Sequence, residues 1–159
     1  MCWSATASVA MVALGGAAVA VTAMRGEPKA IWITLGFFTV MEGLQAVGYA
    51  VVDECSNPAN QSITLLSYLH IAFQPLFINA FAMAIAPSPV PKWQARKVYG
   101  LAALATGFML LKLVPLQALG NCTPGSPLCG LQTCLISGDW HIGWILPLNG
   151  FMEGISSTF

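Results

Sequence analysis

Apolar residues run through this chain in long blocks, and the polar ones gather in the gaps between them. Five blocks stand out, at residues 4–24, 30–52, 63–86, 98–118 and 140–159. Each is close to the roughly 20 residues a helix needs to cross about 30 Å of hydrocarbon. A soluble amphipathic helix would bring Lys or Glu to every third or fourth position. Here the charges are scattered singly or held in connectors at 25–29, 53–62, 87–97 and 119–139. Every connector carries turn chemistry, from Gly-Glu-Pro and Ser-Asn-Pro to Pro-Ser-Pro-Val-Pro and Thr-Pro-Gly-Ser-Pro. Backbone in lipid must satisfy its own hydrogen bonds. The pattern therefore predicts an all-α integral membrane protein of about five transmembrane helices, one domain over residues 1–159.

Composition strengthens this reading. Of 159 residues, 57% are hydrophobic and 8% charged, against roughly 25% charged in soluble domains. The net charge of zero gives no basic footprint for nucleic acid, and no Gly-rich phosphate loop is present. The first block has Ala-Val-Ala and Val-Thr-Ala stretches like those of a cleavable leader, but no basic residue precedes it, so it reads as a span.

Charge also orients the chain. Arg25, Lys29, Lys92, Arg96 and Lys97 fall in the first and third connectors, whereas Asp53, Glu54 and Asp139 mark the second and fourth. Basic residues favour the cytoplasmic side, which places the N-terminus outside a plasma membrane, expected to be a bacterial inner membrane. Trp3, Trp140 and Trp144 then mark the outer edge, and Trp32 and Trp93 the inner one. Cys2, Cys55, Cys122, Cys129 and Cys134 all land outside, where disulfides form. At least one bridge is expected among Cys55, Cys122, Cys129 and Cys134, with the pairing left open. Asn60-Gln-Ser and Asn121-Cys-Thr match glycosylation acceptors on that side.

Ionisable groups at membrane depth are costly and usually have a partner or a role. Glu42 comes out near the midplane and Glu153 somewhat inward of it. They share a Met-Glu-Gly context that suggests a short inverted repeat. Glu42, Gln45 and Tyr49 lie on one helix face, as do Ser67, His70 and Gln74, with Asn79 on another. Lys112 precedes Pro115 in the fourth block, His141 sits at the edge of the fifth, and Asn149 aligns with Glu153. This predicts a polar interior lined by the second to fifth spans, in which Glu42 and His70 face a shared space. The plainer alternative is that Glu42 pairs with His70 or Lys112 only to fix packing, with Lys112 snorkelling outward. The first block, rich in Ala, Gly and Ser with Gly16 and Ala20 at small-x-x-x-small spacing, predicts a face for close helix approach, on this chain or on a partner.

Met1-Cys-Trp-Ser-Ala-Thr-Ala-Ser8, Met41-Glu-Gly43, Leu69-His-Ile-Ala-Phe-Gln-Pro75 and Trp140-His-Ile-Gly-Trp144 together resemble an uncharacterised family of multipass membrane proteins. That resemblance implies topology and no activity. Glu42, Ser67, His70 and His141 are also similar in kind to the zinc site of membrane hydrolases of the alkaline ceramidase type, although the paired His-x-x-x-His of such sites is missing. The sequence stops about where a fifth helix would reach the inner face, so the helix either ends abruptly or belongs to a longer chain.

Three function classes follow. The first is a membrane protein that binds or passes a small solute, ion or lipid through Glu42, Gln45, His70, Gln74 and Glu153. The second is an accessory subunit docking through the first span. The third is a metal-dependent hydrolase with Glu42, His70 and His141 as ligands. The bilayer is the expected partner in all three, and the cofactor is left open.

Overall fold

The computed structural model describes residues 4–123, 125–126, 128–138 and 141–151. Four of the five apolar blocks become helices: α1 (Ala5–Met24), α2 (Lys29–Gly48), α3 (Pro58–Ala84) and α4 (Lys92–Lys112). The first three are long and apolar enough to cross a membrane.

Local chemistry sets their ends. Ser4 caps α1 by accepting from the Ala7 N–H at 3.1 Å. The helix closes on Gly26, whose φ of 71° is left-handed, with Gly26 N–H bonded to Ala23 and Glu27 N–H to Thr22. That is the Schellman pattern, which only a residue tolerating positive φ completes at no steric cost. Pro28 then starts α2. Asn57 caps α3 by accepting from Ala59 N–H at 2.9 Å, and Pro58 takes the first position, where its missing N–H is harmless. Pro75 sits inside α3, where Asn79 Nδ2 donates to its carbonyl at 2.7 Å. α4 ends at Leu113, ahead of Pro115, so Lys112 occupies its last turn.

Packing runs mainly between sequence neighbours, α1 on α2, α2 on α3 and α3 on α4. The helices form an antiparallel row. A Cβ on Gly15 would strike Thr39, and Gly36 faces Val19. Gly16, expected at the close approach, has no such neighbour within 4 Å. The 25–28 and 85–91 connectors, with the basic residues near them, lie at one end of this row, and the cysteines described lie at the other.

The fifth block departs from expectation. Residues 142–145 form a strand, β2 (Ile142–Ile145), paired antiparallel with β1 (Cys134–Ser137), with Leu135 opposite Trp144 and Ile136 opposite Gly143. Gly143, Pro147 and Gly150 interrupt what hydropathy reads as one helix. Pairing with β1 and the disulfides hold the segment extended instead. Asn149 closes the segment: its Nδ2 donates to the Leu111 and Val114 carbonyls at 2.8 Å, and its N–H to Lys112 at 2.9 Å. Asn149 thus serves the frayed end of α4. Glu153, its expected helical companion, and the second Met-Glu-Gly lie outside the described residues. Trp144, expected in the interfacial belt, is half-buried beside both apolar cores of this cap. Trp3, Trp140 and Asp139 also lie outside the described residues, whereas Trp32 and Trp93 occupy the first turns of α2 and α4.

Both cores lie where the cap meets the helices. One joins Tyr68, Cys122, Cys129, Leu146 and Leu148, and the other Ile63, Leu135 and Ile142. The Cys55–Cys134 disulfide ties the cap to the α2–α3 connector, and Cys122–Cys129 closes a short loop within the cap. Cys2, the odd thiol, is outside the described residues.

Candidate functional site

Asn60 is the anchor between helix and cap. It is completely buried. Its Nδ2 donates to the carbonyls of Val51 at 2.7 Å and Leu135 at 3.0 Å, and its Oδ1 accepts from Leu135 N–H at 2.9 Å. An amide so engaged is closed to sugar attachment in the folded chain, so the glycosylation reading of Asn60 gives way to a structural one. Asn121, by contrast, is exposed. Asp53, with a left-handed φ of 66°, donates its N–H to Leu135 at 2.9 Å and accepts from Ser137 N–H at 2.8 Å. Hydrogen bonds from the side chain and backbone of Ser137 hold the Asp53 carboxyl below its ordinary range.

Beneath this anchor runs the seam between α2 and α3. Its register is set at three heights. Thr34 Oγ1 donates to Phe77 O at 3.1 Å. The Phe37 ring stacks on both His70 and Phe77, at 3.6 and 3.8 Å between centroids. A Cβ on Gly48 would lie 3.5 Å from Ile63 and 2.6 Å from Leu135. Helix geometry then puts Gln45 level with Ser67, and Glu42 level with His70. Gln45, Ser67 and His70 are all buried, and Glu42 is half-buried on the flank of α2.

Three atoms on this seam are buried without a hydrogen-bond partner: Gln45 Oε1, Ser67 Oγ and His70 Nε2. Several hydroxyls elsewhere in the row do not share this state. Thr22, Thr39 and Thr64 donate to carbonyls of their own helix. Leu135 and Gly48 lie above the three atoms, and the Phe37–Phe77 stack lies below.

The other expected groups are distributed differently. Gln74 is half-buried one turn further along α3. His141 is exposed just before β2, and Glu42, His70 and His141 do not gather as a set. Among the described residues no three His, Cys, Asp or Glu side chains gather to hold a metal ion. Ser8 on α1 and Thr106 on α4 also carry unpartnered buried hydroxyls. Phe37, which fixes His70, had no polar signature to single it out.

These features define a class: a row of helices, three of them long and apolar enough to cross a membrane, closed at one end by a disulfide-tied β-hairpin cap over a polar helix seam. Over residues 6–159 the chain belongs to a family of unknown function, DUF5765, consistent with membership of an uncharacterised family. No curated protein and no solved structure matches it.

Proposed function

We propose that this chain is a multipass membrane protein with four spanning helices, its N-terminus and cap on the non-cytoplasmic side. Its α2–α3 seam binds a small polar solute or ion. The observation that carries the binding reading is the set of Gln45 Oε1, Ser67 Oγ and His70 Nε2, buried at neighbouring levels with no partner. Leaving a buried donor or acceptor unpaired costs about 1–3 kcal/mol. Three on one seam, beside threonines that do pair, fit groups awaiting a ligand. Support for four spans comes from apolar outward faces on α1, α2 and α3, and from the apolar 98–111 stretch of α4 above its basic first turns. Support for the orientation comes from Arg25, Lys29, Lys92, Arg96 and Lys97 at one end and the disulfides at the other.

The test is substitution by apolar residues of similar size. If the seam binds a solute, Gln45→Leu and Ser67→Ala leave the fold intact and abolish thermal stabilisation by the solutes that protect the wild type. If the polar atoms are merely buried, no solute protects the wild type. Each variant is then more stable by about 1–3 kcal/mol, the penalty of an unpaired group having been removed.

A second reading has its own observation. α1 packs chiefly on α2 and leaves Val9, Met11, Leu14, Val21 and Met24 exposed. That face fits an accessory subunit as well as it fits lipid. Purification in mild detergent separates the two, since an accessory subunit co-purifies with a partner at fixed stoichiometry.

A further inference from the structure

The helix α4 is one edge of the row and packs chiefly on α3, with Ala102 and Thr106 buried on that side. At about 100° per residue the opposite side of its first two turns presents Lys92, Trp93, Arg96 and Lys97. All four are exposed, and Lys97 Nζ lies 5.0 Å from the centre of the Trp93 ring. Lys92 and Arg96, four residues apart, are like charges on neighbouring positions and repel. No acidic residue lies on α4 to offset them. Arg25 and Lys29 differ, since Glu27 stands between them in sequence. Further along the same side of α4 the surface is apolar and concave. A cleft of about 300 Å³ is lined by Ala103, Leu104, Gly107, Phe108, Leu111 and Phe151. Gly107 leaves it open, with no atom within 4 Å of where its Cβ would stand, and Phe151 bounds it by stacking on Phe108 at 5.5 Å between centroids. From Arg96 the cleft lies about 10 to 22 Å along the helix axis. One leaflet, headgroup and hydrocarbon together, is roughly 20–22 Å deep. Cations, then an interfacial aromatic ring, then an apolar track repeat the order of a phospholipid from phosphate to chain end. A free phosphate would use only the first part of this face and a neutral lipid chiefly the last.

We propose that the outward face of α4 holds one anionic phospholipid, its phosphate among Lys92, Arg96 and Lys97 and an acyl chain in the cleft at Ala103, Gly107 and Phe108. The inference rests on the reading of α4 as a spanning helix, which puts that lipid in the cytoplasmic leaflet.

The experiment titrates the full chain in non-ionic detergent with phosphatidylglycerol and with phosphatidylcholine of the same acyl chains, and counts bound lipid by native mass spectrometry. One phosphatidylglycerol per chain should be held at least about tenfold more tightly than phosphatidylcholine, each cation contributing roughly fivefold. Lys92→Gln with Arg96→Gln should remove most of that preference, whereas Arg25→Gln with Lys29→Gln should keep it. Gly107→Leu, at an exposed helical position with open space beside it, keeps the helix, fills the cleft and should weaken both lipids. Equal affinity for the two lipids, or an equal loss in the Arg25 and Lys29 pair, overturns a site on α4 in favour of diffuse attraction. Displacement of the lipid by inorganic phosphate at matched concentration leaves an anion site only and overturns the lipid. Unchanged affinities in Gly107→Leu overturn the acyl cleft. A lipid-free dimer that Gly107→Leu dissociates gives the face to a second copy and overturns the lipid as well. A chain that stays monodisperse without detergent overturns the spanning reading itself, and this inference with it.

Discussion

The helical row and its cap are built from equally apolar sequence, yet they use it in opposite ways. Within the most apolar windows of α1, α2 and α3 only 6%, 11% and 22% of residues are buried, while Leu14 and Leu101 stand 66% and 69% exposed. In the cap, Leu135, Leu146 and Leu148 are almost wholly enclosed, and a completely buried Asn60 fixes the hairpin by its amide. Apolar side chains in lipid gain little from touching one another, so helix packing there rests on close approach and hydrogen bonds. An apolar cluster at a water-facing end gains about 25 cal/mol per Å² of surface it removes from water. The cap therefore has a core in the ordinary sense, and the row has seams.

Releasing the cap separates the two regions most directly. Closing the 79-residue separation of Cys55 and Cys134 stabilises by about 4 kcal/mol on the chain-entropy estimate. Cys55→Ser with Cys134→Ser should cost about that much in denaturant unfolding, while far-UV dichroism keeps its helical signal. Loss of the helices together with the cap would make the two regions a single cooperative unit. Next in size is Asn60→Ala, which leaves the Leu135 N–H without its partner and removes one of two bonds to the Leu135 carbonyl. It should cost about 3 kcal/mol, read by the same unfolding curve. Gly48→Ala sets a Cβ 2.6 Å from Leu135 Cδ2, so the hairpin must shift. A loss of about 1–3 kcal/mol is expected. Leu101→Ala, on the outward face of α4, should change stability by less than about 0.5 kcal/mol, and a core-sized loss there would place that face inside protein.

The smallest effect is a pH dependence. Asp53 titrates below its ordinary range in the folded chain because of Ser137. Its contribution is therefore present at neutral pH and is lost as pH falls through the lowered value. Asp53→Asn should flatten the acid limb of a stability–pH profile and leave the alkaline side unchanged.

The row was largely legible in the sequence because hydropathy and turn residues act locally. The ends of α1 and the existence of α2, α3 and α4 follow from Ser4, Gly26, Pro28, Pro58 and Pro91. The cap was less legible because its determinants are distant in sequence. Residues 140–159 average as apolar as a span, and the choice of strand over helix depends on pairing with Cys134–Ser137 and on a disulfide to Cys55. Helical spacing groups Ser67 with His70, and both are buried, whereas Glu42 and Tyr49, grouped by spacing with Gln45, are half-buried. Which hydroxyls pair with their own helix and which do not is invisible to periodicity, as Thr64 and Ser67 illustrate. The structural role of Asn60 is hidden for a related reason. A three-residue pattern carries no information about the backbone of Leu135, 75 positions away.

In the proposed topology the cap faces outward and the basic connectors inward across a membrane crossed by α1 to α4. Single cysteines at Gly125, in the cap, and at Lys92, at the start of α4, test it directly in a Cys2→Ser background with a membrane-impermeant maleimide on intact cells. Gly125→Cys should label fully before lysis, and Lys92→Cys only after it. Labelling of Lys92→Cys and protection of Gly125→Cys in intact cells would invert the topology, and equal labelling of both before lysis would contradict a membrane-spanning row altogether.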